Sequence, residues 1–158
     1  MKNAKILLII GLLLVAFGSN AQMPRYIKSD KYEGVIFARN PDLPKLSKKP
    51  FMPSNSEIAN MENKISGTIN NLMSLYKKQH EFFKDQCDIV NNLHKYKRHY
   101  FGYLDKGNKI ITVFFFRNAP KNWKEGVFFV EGGGCAYFYI SYSIGSDTLF
   151  DFSINSSE

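Results

Sequence analysis

Few side chains in this chain could do chemistry: three histidines (His80, His94, His99), two cysteines (Cys87, Cys135) and scattered carboxylates. Metal binding would need histidines at ligand spacing. Instead, His94 and His99 would stand on opposite faces of one strand, and no paired-histidine helix motif occurs. A Cys–His nucleophile would need Cys87 or Cys135 beside one of these rings, and no spacing demands it. Gly132-Gly133-Gly134 is not followed by a helical pattern, so it reads as a turn rather than a phosphate cradle. The late acids Glu125, Glu131, Asp147 and Asp151 have no spacing that implies a general acid–base pair. No metal, cofactor or catalytic set is expected.

The cysteines have a second use. An even count in an oxidising compartment permits one Cys87–Cys135 disulfide. Closing a loop of that size stabilises by about 4 kcal/mol in the chain-entropy model. Two buried free thiols are the alternative.

The candidate binding groups are Tyr137 and Tyr139, which share one face of a strand. Tyrosine pairs an apolar ring with a polar tip and suits half-wet ligand platforms for sugar rings or peptide. An aromatic sheet face needs cover if it is not a binding surface, and either the 23–51 segment or a second subunit would supply it.

Elements able to position these groups follow from periodicity. Ser54 followed by Glu57 fits a capping box, and Ile58, Met61, Ile65, Ile69, Leu72 and Tyr76 recur at steps of three and four. The spacing predicts an amphipathic helix of about 25 residues, with Phe82, Phe83, Ile89, Val90 and Leu93 in a continuation or a second short helix. After His94 the period becomes two. Strands are expected over 96–104, 109–117, 127–131, 136–144 and 148–155, with 105–108 as a hairpin turn. On alternation, Ala136, Phe138, Ile140 and Tyr142 with Phe150, Phe152 and Ile154 face the helix, and Leu149, Asp151 and Ser153 face away. Val113 to Phe116 is apolar on both sides, as in a strand covered from both directions. The fold class is α+β: a long N-terminal helix packed on a four- to five-stranded antiparallel meander.

Three stretches divide the chain. Residues 1–21 read as a secretory signal peptide: Lys2 and Lys5, an apolar run of about a dozen residues, then Ser19 and Ala21 before a cut at Gln22. That run is shorter than the roughly 20 residues that span a bilayer, so release into the periplasm or beyond is expected, without a stable membrane anchor. Residues 22–52 read as an extended, partly irregular arm rich in proline, in which only 32–38 looks able to form a strand. Residues 53–158 form the domain. The formal charge is +7 and every Lys and Arg precedes Glu125. Polyanions could be drawn to such a flank, but export argues against nucleic acid as the partner.

The run Tyr96-Lys97-Arg98-His99-Tyr100-Phe101-Gly102-Tyr103, with Gly107, Lys109-Ile110-Ile111, Trp123-Lys124, Gly132-Gly133 and Tyr137-Phe138, resembles a group of small secreted bacterial proteins that look cystatin-like. The resemblance implies a helix wrapped by an antiparallel sheet over roughly 53–155. Inhibitory cystatins carry Q-x-V-x-G in the first hairpin loop. Here that loop reads Leu104-Asp105-Lys106-Gly107-Asn108, and the resemblance puts Trp123 at the end opposite the inhibitory wedge. Three functions follow as expectations: a non-enzymatic module binding protein or glycan, a cystatin-type cysteine protease inhibitor, or a small NTF2-like enzyme with a deep pocket between helix and sheet.

Overall fold

Ser54 ends an extended segment and starts the helix through a reciprocal pair of bonds. Its Oγ accepts from the Glu57 amide at 3.2 Å, and Glu57 Oε2 accepts from the Ser54 amide at 2.8 Å. Two of the helix's free N–H groups are thereby satisfied. The helix that follows, α1 (Asn55–Gln79), buries Ile58, Met61, Ile65, Ile69 and Met73 along one stripe. The computed structural model describes residues 23–39, 48–80 and 87–156. Residues 1–22, where the signal peptide is expected, and Phe82 and Phe83 lie outside the described residues.

Before α1 come β1 (Arg25–Lys28), β2 (Glu33–Phe37) and β3 (Pro50–Phe51). After it come a one-turn helix α2 (Ile89–Asn92), β4 (Lys97–Asp105), β5 (Asn108–Phe116), β6 (Tyr137–Ser143) and β7 (Thr148–Ile154). All seven strands share one sheet, in the order β1-β2-β4-β5-β6-β7, with β3 beside the far end of β4. The expectation of an N-terminal helix on an all-antiparallel sheet is corrected here. Three strands precede α1, and β2 runs parallel to β4, pairing Val35 with His99 and Phe37 with Phe101. Parallel neighbours need a crossover, and α1 lies within the segment that supplies it. The sheet is therefore mixed.

The helix-side core joins the α1 stripe to Ile36, Tyr100, Ile111, Val113, Phe115, Phe138, Ile140 and Ile154. Phe115 and Phe138 are register partners and stack with centroids 4.1 Å apart. One charged pair is buried among them. Arg98 Nε donates to Glu62 Oε1 at 2.9 Å, and the Tyr100 hydroxyl donates to the same oxygen at 2.7 Å. Gly102 of β4 is required by crowding, because a Cβ there would lie 2.5 Å from the Phe51 carbonyl oxygen.

Two local expectations change. The β4–β5 hairpin turns on Lys106 and Gly107 alone, both at positive φ (49° and 85°), as in a type I′ turn. In β7, Asp151 adopts φ 52° at an irregularity in the β6–β7 register. A bulge adds one residue and inverts the side-chain parity before it. Leu149 therefore packs on the helix side and Phe150 faces away, 38% exposed, the reverse of simple alternation. Phe152 and Ile154, beyond the bulge, keep the expected side.

Cys87 and Cys135 are joined in a disulfide, with Cα atoms 5.5 Å apart. Cys135 sits in a single 3-10 turn (Gly134–Ala136) before β6, so strand parity does not govern where its sulfur points. No helix among the described residues is long and apolar enough to cross a membrane.

Candidate functional site

The sheet face turned away from α1 carries Val35 and Phe37 of β2, His99 and Phe101 of β4, Phe114 and Phe116 of β5, and Tyr137 and Tyr139 of β6. Alternation explains this. Once Ile111, Val113 and Phe115 face the helix, Phe114 and Phe116 must face the other way. Its cover comes from an unexpected source. The connection between β5 and β6 folds back over this face, placing Ala119, Trp123, Val127 and Phe128 against the second core. Residues 127–131, expected as a strand, form no ladder. The 23–39 residues meanwhile extend the sheet sideways as β1 and β2.

Between that covering segment and the sheet lies a cleft of about 130 Å³, lined by Phe114, Phe116, Phe129, Tyr137, Tyr139 and Asn155 among others. Phe129 meets Phe114 edge-on at 5.5 Å and stays 43% exposed at the rim. Phe114 also lies 5.6 Å from Tyr139. Tyr137 is fixed in place: its hydroxyl donates to the Asn118 carbonyl at 3.2 Å, and its ring lies where a Cβ on Gly133 would be, 2.6 Å away. Asn155 donates from Nδ2 to the Val130 and Gly132 carbonyls, tying the end of the covering segment to the end of β7. The two candidate tyrosines thus line one cleft, with Tyr137 braced and Tyr139 half-buried in its wall. A void of this size takes one benzene-sized group, well below the 300–1,000 Å³ that encloses a drug-sized ligand.

Elsewhere, a wider groove of about 570 Å³ runs between α1 and the β6–β7 turn, lined by Asn60, Asn63, Lys64, Tyr142, Ile144 and Asp147. Lys64 and Asp147 pair across it at 2.7 Å, and the Tyr142 hydroxyl donates to Asp147 at 2.8 Å. Burial and this carboxylate push Tyr142 up to about 12. The space directly between α1 and the sheet is filled by the side chains of the helix-side core.

The histidines are separated. His80 stacks on Tyr76, His94 is exposed, and His99 is fully buried. Among the described residues, no three His, Cys, Asp or Glu side chains converge as a metal-binding group. Sequence reasoning missed the covering segment and the Glu62–Arg98 pair. The two-sided apolar run Val113 to Phe116 did signal a second cover. What it could not say was that residues 119–130 provide it, since Val127-Phe128-Phe129-Val130 is as β-prone as a strand.

Comparison with protein-family models, with curated proteins and with solved structures finds no match for this chain.

Proposed function

We propose that the protein is an exported, non-enzymatic module of cystatin-like architecture that binds a protein partner through the aromatic cleft, which receives one apolar side chain of that partner. The carrying observation is the lining. Phe114, Phe116, Phe129, Tyr137 and Tyr139 converge on a space of about 130 Å³, and Phe129 stands half in solvent at its rim. Peptide is favoured over glycan on chemical grounds. A sugar brings several hydroxyls that need partners on burial, whereas the Tyr137 hydroxyl and the Asn155 amide hydrogens are already engaged. One aromatic or branched anchor matches the volume and the hot-spot pattern of protein interfaces.

Export rests on the 1–21 leader, which supports a mature N-terminus at Gln22. Intact-mass measurement of the protein recovered from a secreting host tests that part.

Binding is tested by selecting from a displayed random-peptide library and by screening a glycan array in parallel. Selected peptides are expected to share one large apolar residue. Tyr139→Ala is expected to weaken their binding by roughly 10-fold or more while the thermal midpoint stays within a few degrees. Glycan binding without peptide selection, or peptides indifferent to Tyr139→Ala, would sink the reading.

A further inference from the structure

His99 is caged by five rings on the sheet face opposite α1. Phe37 of β2 and Phe116 of β5 lie 4.7 and 4.6 Å from it, Phe101 lies at 6.4 Å, and the covering segment adds Phe128 at 5.3 Å and Trp123, nearly parallel, at 6.2 Å. Its Nε2 is 2.7 Å from the Trp123 carbonyl oxygen. A carbonyl only accepts, so Nε2 carries the ring proton and Nδ1 of the neutral imidazole is left as an acceptor. That Nδ1 is buried and has no partner.

Besides the ion pair of Lys124 with Glu33 of β2 at 3.4 Å, the bond to Trp123 is the one hydrogen bond that the described residues of β4 and β5 make to the middle of the covering segment. Its ends are held separately, by Tyr137 at Asn118 and by Asn155 at Val130 and Gly132. Residues 127–131 make no backbone–backbone hydrogen bond among the described residues. Glycines bound this stretch: Gly126 on one side, and Gly132, Gly133 and Gly134 at φ 81°, 80° and 53° on the other. Such a stretch can swing without breaking a ladder.

We infer that His99 is an acid-sensitive latch: a proton added at Nδ1 places a full charge and an unpartnered donor inside the ring cage and releases the 119–131 segment from the sheet. Nothing nearby could accept that proton's hydrogen bond. β5 presents Phe114 and Phe116. β2 presents Glu33, whose two oxygens are already taken by Tyr26 of β1, Lys97 of β4 and Lys124 of the covering segment. The two lysines on that side are themselves paired with Glu33. Burial accordingly pushes His99 down to about 4, against the opposing bond to Trp123. The segment is held at neutral pH and freed as pH falls, exposing Phe37, Phe101, Phe114 and Phe116.

Trp123 is the single tryptophan of the chain, so its emission reports the surroundings of the covering segment. As pH is lowered from 7 to 4, the emission is expected to shift to the red while the far-UV signal of α1 and the sheet persists. In His99→Gln, which keeps a donor for the Trp123 carbonyl but cannot gain a proton, that shift disappears. Three outcomes overturn the latch: no shift down to pH 4, emission and far-UV signal lost in one transition, or an unchanged shift in His99→Gln. Should that variant fail to fold, the ring ¹⁵N resonances of the unaltered protein decide. Protonation of Nδ1 over the same pH range as the emission shift supports the latch, and a ring that stays neutral through it overturns it.

Discussion

Glu62 of α1 and Arg98 of β4 form a salt bridge at 2.9 Å with both side chains almost wholly buried, 4% and 1% exposed. It is the buried polar tie between helix and sheet; Lys109 of β5 pairs with Glu57 of α1 at 3.0 Å nearer the surface. Arg98 spends its other donors on the carbonyls of Tyr96, at 2.6 Å, and Leu93, at 3.3 Å. Tyr100 donates to the same Glu62 oxygen, and burial together with that carboxylate holds its phenol well above the ordinary range. The arrangement fixes the rotation of α1, because a one-residue turn would carry Glu62 about 100° away from Arg98.

Removing one partner of such a pair leaves the other charge buried and uncompensated. Glu62→Leu is expected to cost about 3–5 kcal/mol in urea unfolding. The double variant Glu62→Leu with Arg98→Met should cost less than Glu62→Leu alone, because no charge is stranded. A single-variant cost below about 1 kcal/mol would show that water reaches the pair.

Acid should destabilise the fold in two stages. A histidine held below its unfolded value makes the unfolded chain the better proton binder, so stability is full above about pH 6.5 and falls until about pH 4. The full loss across that window is about 3 kcal/mol. Glu33 gives the second stage. Burial alone would raise its pKa, but hydrogen bonds from Lys97 and Tyr26 with the charge of Lys97 outweigh it and bring it to about 2. Its contribution is present above about pH 4.5 and is lost as pH falls towards 2. Thermal midpoints measured from pH 8 to pH 2.5 should show both stages, and His99→Gln should erase the upper one alone.

Two glycine-to-alanine changes should act in opposite directions. At Gly102 the new Cβ meets the Phe51 backbone oxygen at 2.5 Å and Pro53 at 2.9 Å, and neither can swing away as a flexible side chain would. A loss of about 1–3 kcal/mol is expected. At Gly67, inside α1, nothing lies within 4 Å, and alanine's higher helix propensity should add up to about 1 kcal/mol. Denaturation midpoints of the two variants check both signs, and equal effects would refute the assignment of crowding at Gly102.

The sequence by itself determined the elements whose cause is local. The Ser54–Glu57 box and the three-and-four spacing from Ile58 to Tyr76 define α1, because both act within one or two turns; that Met73 rather than Leu72 is fully buried at its end came from the structure. Alternation likewise assigned Phe138, Ile140 and Tyr142 to the helix side, and placed Tyr137 and Tyr139 together on the reverse. Tertiary structure alone decided the remainder. The parallel pairing of β2 with β4 joins residues some 60 positions apart, and no periodicity encodes which strand edge a short apolar run will find. One left-handed residue, Asp151, exchanged the faces of Leu149 and Phe150, since parity counts residues and a bulge adds one. His99 reads as an ordinary strand residue in the sequence. Its buried, half-satisfied state exists because Trp123 folds back over it, and that contact is made by packing rather than by spacing.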